Sequence, residues 1–230
     1  MRGVFVIEKK LHFIWIGDET KCPHNCIQTW RDKNPDYEIK IWGNKELINY
    51  GWVLSDWIQE MAKHHPSGIA DLMRYEILYR EGGITLDADS ICLNPLEDWL
   101  LQTNEFAAWE NEHTHSGTVA NGTMGSIRNS PFFAQIIKYF MDKEVLIDDL
   151  PFKVTGPVAL TKIWKKTTYP LTIYPSHYFY PIHWTGLKYK GNGKVFATQL
   201  WGTTKNIYQS LHHSNLQDLL LENQESNEDA

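Results

Sequence analysis

The stretch SGIADLMRYEILYREGGITLDADSICLNP, residues 67–95, decides how the rest of the chain is read. Its spacing predicts a helix, a tight turn, a strand and then two aspartates separated by one residue. Ser67 suits the start of the helix, because its hydroxyl can accept from a free N–H of the first turn. Ile69, Leu72, Met73 and Ile77 recur at helical spacing on one face and leave Asp71, Arg74, Arg80 and Glu81 for the other. Gly82-Gly83 ends the helix, since glycine accepts the left-handed geometry that closes it. Ile84-Thr85-Leu86 then starts a short strand that runs into Asp87-Ala88-Asp89.

Residues i and i+2 of a strand share a side, so Asp87 and Asp89 are expected to aim at one spot. Ile84, Leu86, Ile91 and Leu93 bracket the pair and put that spot at the end of a buried strand. Two carboxylates so placed repel each other and lose water. A raised pKa, a basic partner or a bound cation relieves this. Oxygen donors without a nearby cysteine suit Mg²⁺ or Mn²⁺. A bare D-x-D also describes two acids in a solvated loop. The apolar strand before it, and Asp71 and Arg74 just upstream, favour a constructed site.

The block ADLMRYEILYREGGITLDADSICLNPLE, residues 70–97, resembles the core of glycosyltransferase family 32, the DXD sugar-transferase family. That family includes capsule and lipopolysaccharide transferases and the fungal initiating mannosyltransferases. The block is also similar to the glucosyltransferase domain of the large clostridial toxins. The resemblance implies a GT-A-type α/β fold, a single domain with a mostly parallel central sheet. The domain is expected over residues 1–221, with an acidic, disordered tail over 222–230. The activity it implies is metal-dependent, retaining transfer of a sugar from a UDP- or GDP-sugar donor to a glycan or lipid-linked sugar acceptor. Mn²⁺ or Mg²⁺ would bridge Asp89 and the diphosphate. Asp87 would bind the ribose or sugar, and the ion directly or through water. Asp71 would hold donor hydroxyls and Arg74 would reach the sugar-phosphate region.

Other stretches extend the resemblance. HFIWIG (12–17) resembles the family's first strand, which implies that Trp15 lies along the nucleotide base. TWRDKNPDYEIKIW (29–42) resembles its second strand–helix unit, and short strand–helix–strand links imply parallel pairing. Lys45 to Lys63 reads as one helical region. Within it, Asn49 matches an asparagine that lines the nucleotide pocket of the toxin relatives. HTHSGTVANGTMGS (113–126), rich in Gly, Ser and Thr, reads as a loop or bent strand. Its Asn121 resembles the asparagine beside the donor sugar, and His113 and His115 read as loop histidines, with a metal role as the alternative. Ser130-Pro131 opens a helix whose stripe of Phe132, Phe133, Ile136, Ile137 and Phe140 is core. TGPVALT (155–161) resembles a T-G-P segment on the acceptor side. YPLTIYPSHYFYPIHW (169–184) matches the family's Y-F-Y-P segment and reads first as packing. Near residue 200 the family has a histidine before a tryptophan and then Ser-Trp. Here Gln199 stands in the histidine's place and no Ser-Trp follows Gly202. The third metal ligand is therefore open among Gln199, His212, His213 and water.

Composition narrows the partners. A net charge of −6 excludes wrapping nucleic acid. It does not exclude a nucleoside diphosphate, because one metal ion reverses the local sign. No apolar run approaches a membrane span, so no transmembrane segment is expected and only peripheral membrane contact is left open. Three cysteines, with no metal-site spacing beyond one C-x-x-x-C whose Cys22 and Cys26 lack a second pair for zinc, indicate a reducing cytoplasm, with the inner face of a membrane as one setting. Ten Trp and eleven Tyr suit stacking on bases or sugars as well as core. Two alternatives are a non-catalytic glycan-binding or inactive transferase-like module, and a haloacid-dehalogenase-like phosphatase. For the phosphatase, ITLDADSI loosely fits a motif whose first Asp is the nucleophile. That motif opens its domain, whereas two strand–helix units precede it here.

Overall fold

The first strand forms in the largely apolar run of residues 11–16. β1 (Lys10–Ile14) lies between β2 (Glu38–Trp42) and β3 (Gly83–Leu86) and is parallel to both. The computed structural model, which describes residues 6–225, extends this sheet with β5 (Glu105–Asn111), β6 (His115–Ser126) and β7 (Thr172–Tyr174). The order is β2-β1-β3-β6-β5-β7. β6 runs antiparallel to both neighbours, and the other three pairings are parallel. The stretch expected as a loop or bent strand is thus a twelve-residue strand. Its glycines fall in or beside the two places where its register against β5 shifts.

Alternation along the strands feeds two cores. Leu11, Phe13, Ile84, Leu86 and Phe106 face one side, where Trp30 of α1 (His24–Lys33) packs. Ile14 and Ala107 face the other, with residues from α3 (Ser55–Met61), α4 (Pro66–Glu81), α5 (Pro131–Met141) and α7 (Pro157–Thr167). Truncating any of the buried aromatics there to alanine costs about 3–5 kcal/mol. The single helical region expected over 45–63 is two helices, α2 (Asn44–Asn49) and α3. Gly51 takes φ +72 between them. The Trp52 indole N–H caps the carbonyls of Glu46 and Leu47, and buried Glu76 accepts from the N–H groups of Val53 and Leu54.

α4 differs from the expected two-faced helix. His65, not Ser67, is its N-cap, and Pro66 opens its first turn. Asp71, Arg74 and Glu76 are buried alongside the apolar stripe. The helix passes between the sheet and its flanking helices, so Asp71, Arg74 and Glu76 face protein, while Arg80 and Glu81 near its end stay partly exposed. It ends at Gly82 (φ +67) and Gly83 (φ +81). A Cβ on Gly83 would stand 2.8 Å from the Lys10 carbonyl oxygen, so only glycine lets β3 settle beside β1. His12 locks the same corner. Its Nδ1 accepts from the Trp42 indole at 3.2 Å, which leaves Nε2–H to donate to Gly82 O at 3.0 Å. Burial pushes the His12 pKa down to about 4.

A second, two-stranded sheet pairs β4 (Ser90–Cys92) with β8 (Ala197–Gln199). The short α6 (Pro151–Val154) precedes α7, and α8 (Gly202–Lys205), α9 (Tyr208–Leu211) and α10 (Leu216–Glu225) come after β8. Of the tail expected over 222–230, residues 222–225 continue α10, and 226–230 lie outside the described residues. No helix of the described residues is long and apolar enough to cross a membrane.

Candidate active site

β3 ends at Leu86, and Asp87-Ala88-Asp89 is a turn rather than a continued strand. Ser90 closes it: its N–H and its hydroxyl donate to Asp87 O at 3.1 and 2.8 Å. The Trp30 indole then holds Ser90 O at 3.2 Å. Strand alternation is therefore not what aligns the aspartates. They converge because β8 pairs with β4 in the register Ser90↔Gln199. That register sets Gln199 Nε2 2.7 Å from Asp89 Oδ1 and 3.3 Å from Asp87 Oδ2. Gly202 N–H donates to Asp89 Oδ2 at 2.6 Å, and Tyr208 hydrogen-bonds the same carboxylate. Burial, reinforced by Asp87, raises the Asp89 pKa to about 6.

Asp87 leads from this pair into a second polar group. Arg74 Nη2 donates to Asp87 Oδ1 at 2.7 Å, and Nη1 donates to the Asn121 carbonyl. The Asn121 amide donates to Asp71 Oδ1 at 2.7 Å, and Thr155 Oγ1 donates to Asp71 Oδ2 at 3.1 Å. Burial lifts the Asp71 pKa to about 6, held back by Arg74 and Asn121. Burial also opposes the charge on Arg74, but Asp87 and Asp71 outweigh it and keep the guanidinium protonated. One residue on from Asn121, Gly122 makes room for the cluster. A Cβ there would lie 2.5 Å from Asp87 Oδ2 and 3.0 Å from Tyr180 Oη. Tyr180 Oη and Arg74 Nε are buried and make no hydrogen bond of ordinary geometry, which suits atoms that a bound ligand satisfies.

Of the residues singled out from sequence, Asp71, Arg74, Asp87, Asp89 and Asn121 come together. Trp15 borders them through Tyr208, edge-to-face with ring centroids 5.1 Å apart, and its indole donates to Asp18 O. Asn49 is not brought in. It is exposed, and its amide donates to Lys45 O within α2. Among the open third ligands, Gln199 reaches both aspartates. His212 and His213 instead face each other, with ring nitrogens 3.2 Å apart. Thr155, Tyr180, Gly122 and Tyr208 are site residues that sequence reasoning does not single out. Gly122 and Thr155 stand in the family-like segments ANG and TGP. Tyr208 carries no signal, because its role depends on a loop closing over Asp89.

The donor set fits a hard divalent cation. Two carboxylates converge on one point, and a cation there would stabilise the ionised form of Asp89 against its burial. Gln199 presents its NH₂ to them, and half a turn of its amide would present Oε1 instead. All three donors would then be oxygen, as Mg²⁺ and Mn²⁺ prefer.

Residues 21–106 match the family model described as the glycosyltransferase sugar-binding region containing a DXD motif. The chain is 29% identical over 156 residues to inositol phosphoceramide mannosyltransferase 3 of Schizosaccharomyces pombe. The aligned part is 65% of this chain and 40% of that protein, so the chain spans less than half of that relative's length. Among solved structures, the PaToxG glycosyltransferase superposes with a TM-score of 0.56 at 19% identity, covering 70% of each chain. The UDP-bound glycosyltransferase domain from the YGT toxin does so with a TM-score of 0.54 at 8% identity, covering 74% of this chain and 80% of that one. These likenesses establish the fold as that of GT-A glycosyltransferase domains.

Proposed function

We infer, from a chain that carries the DXD region of the sugar-transferase family on a GT-A fold, that it moves a sugar from a nucleotide-sugar donor to an acceptor with the help of a divalent cation. The observation that carries this is the meeting of Asp87 and Asp89 at Gln199, joined through Arg74 to Asp71 and Asn121. A nucleoside diphosphate leaves only if its developing charge is neutralised. A cation held by Asp89, Asp87 and Gln199 supplies that neutralisation. Arg74, kept charged between two carboxylates, faces the sugar-phosphate linkage. Asp71 is held in place by Asn121 and Thr155 and orients donor hydroxyls. Trp15, packed edge-to-face on Tyr208, stacks on the base in this proposal.

The donor in this proposal is a UDP- or GDP-sugar, and transfer retains the anomeric configuration. UDP in the YGT toxin domain supports the first nucleotide, and the mannosyltransferase relative supports a lipid-linked acceptor. Cys22, Cys26 and Cys92 are unpaired and buried, which supports a reducing compartment. The test is release of nucleoside diphosphate from a panel of UDP- and GDP-sugars in Mn²⁺ or EDTA. One donor should turn over in Mn²⁺ alone, and Asp89→Asn should abolish this. If no donor is hydrolysed, and none raises the melting temperature in Mn²⁺, the proposal fails.

A further inference from the structure

Beyond the aspartates, the hairpin of β5 and β6 carries a second cluster of metal-ligating groups. Asn111 builds its turn, accepting from the N–H groups of His113 and Thr114 at 2.9 Å each. The turn sets Glu110, at the end of β5, beside His115, at the start of β6. The segment after β7 folds back and lays His183 against both. Glu110 Oε1 lies 3.5 Å from His183 Nε2 and 3.8 Å from His115 Nδ1, and all three donor atoms fall within 4.8 Å of one another. His113, the other histidine of the loop, is exposed and stands outside the group.

We propose that Glu110, His115 and His183 form a second divalent-cation site, of zinc type and distinct from the aspartate site. Three protein ligands, two imidazoles and a carboxylate, with a fourth position open, match zinc coordination. Bonds of about 2.0–2.1 Å in a tetrahedron put donor atoms about 3.3 Å apart, so small side-chain rotations close the observed spacing. The contacts that orient the ligands are also in place. His183 is fully buried, and its Nδ1 lies 2.8 Å from Thr185 Oγ1 and 3.3 Å from Thr114 Oγ1. Such a partner orients the ring and directs Nε2 at the metal. Thr185 N–H also points at Nδ1, at 3.3 Å, so with no metal bound the Nε2–H faces Glu110. The cation would take the place of that proton, and Nδ1–H would then donate to Thr185 Oγ1 instead of accepting from Thr185 N–H. His115, the most exposed ligand at 38% of its side chain, opens the site to solvent.

The chemistry separates this site from the first. Imidazole nitrogens suit Zn²⁺, whereas the oxygen set of Asp87, Asp89 and Gln199 suits Mg²⁺ or Mn²⁺. Its place suggests what it does. His183 lies three residues beyond Tyr180, which borders Asp87, and Ile182 O accepts from the Trp201 indole at 2.9 Å. A cation there would clamp this wall of the donor site to the β5–β6 hairpin.

The experiment is calorimetric titration of the tag-free chain with Zn²⁺, repeated with Glu110→Gln, His115→Ala and Asp87→Asn/Asp89→Asn, each checked for folding by circular dichroism. The proposal expects a Zn²⁺ site of micromolar or tighter affinity that persists in the double aspartate variant. Glu110→Gln and His115→Ala should each weaken it at least tenfold, and the double aspartate variant should bind as wild type. Co²⁺ should bind the same set and give the visible absorption of a low-coordinate nitrogen–oxygen site. Neither substitution needs the buried His183 to be disturbed. Folded wild type that takes up no Zn²⁺ would overturn the proposal. So would equal affinity in wild type, Glu110→Gln and His115→Ala, or loss of Zn²⁺ binding with the aspartates.

Discussion

Replacing Gly122 by alanine should disable the aspartate site with a single methyl group. The new Cβ would sit 2.5 Å from Asp87 Oδ2. Restoring ordinary contact requires the carboxylate to retreat by about 1 Å. Asp87 is held by Arg74 at 2.7 Å on one oxygen and approached by Gln199 at 3.3 Å on the other. A displacement of that size takes at least one of these beyond hydrogen-bond reach. The Arg74 guanidinium then loses its closest anion. In a fully buried pair that would cost about 3–5 kcal/mol. The Asp87 side chain is 29% exposed, so water takes over part of the loss and about 1–2 kcal/mol of stability is expected. Function should suffer more, because a misplacement of about 1 Å costs about a hundredfold in rate. The assays are thermal melting, Mn²⁺ titration and Mn²⁺-dependent donor hydrolysis, run on Gly122→Ala, Asp87→Ala and the double variant. Since both changes act through one carboxylate, their effects should not add. If Gly122→Ala binds Mn²⁺ and nucleotide like wild type, or if its loss adds in full to that of Asp87→Ala, the reasoning is refuted.

Gln199→Glu should point three carboxylates at one spot, lowering the melting temperature in EDTA while raising Mn²⁺ affinity about tenfold; unchanged calorimetry would remove Gln199 from the ligand set. Asp89→Asn should weaken both Mn²⁺ and nucleoside diphosphate binding, whereas Asp71→Asn should leave diphosphate binding nearly intact and lower turnover; equal loss of binding in the two variants would erase the division of roles. Trp15→Ala should weaken free nucleotide by about 1 kcal/mol, read by titration, and an effect on melting alone would make it core. His12 has a folded pKa of about 4, below its ordinary 6.5. The stability it contributes is complete above pH 6.5 and is lost as pH falls through that window, by about 2 kcal/mol at pH 5. His12→Gln, which keeps a donor and an acceptor for Gly82 and Trp42, should flatten this part of the pH profile in denaturant melts, and a profile identical to wild type would exclude the buried neutral histidine.

The parts of the fold set by local chemistry are legible in the sequence. The continuous apolar run of β1, the Ser130-Pro131 helix start and the Gly82-Gly83 stop each come from the residues alone, and each is found where expected. Misreadings arise where tertiary contact overrides the local signal. α4 looks two-faced because its acids and arginine are polar, yet protein meets them on that side. For β6 the composition leaves loop and bent strand open, and the pairing with β5 and β3, shifted in register, decides for the strand. At the site, Asp87, Asp89, Asp71 and Arg74 are accessible to sequence reasoning because they lie within one helix–strand unit. Gln199 stands out only as a departure from a resemblance, and Tyr208 not at all. Asn49 matches the toxin relatives by position alone, and its side chain bonds to its own helix.

The pairing of β4 with β8 has a consequence for how the chain becomes competent during synthesis. Gln199 and Asp89 are 110 residues apart, yet every strand of the six-stranded sheet ends by Tyr174. In the order of synthesis every strand of the central sheet therefore precedes residues 197–208. Until they arrive, Asp89 lacks Gln199, Gly202 N–H and Tyr208, the three groups that satisfy its carboxylate. Release of a prematurely terminated product would leave a body with its main framework and an uncompensated acid at its centre. The site is thus completed by a segment that follows all six strands in the chain, and whose Ala197 and Trp201 also pack on the sheet's core.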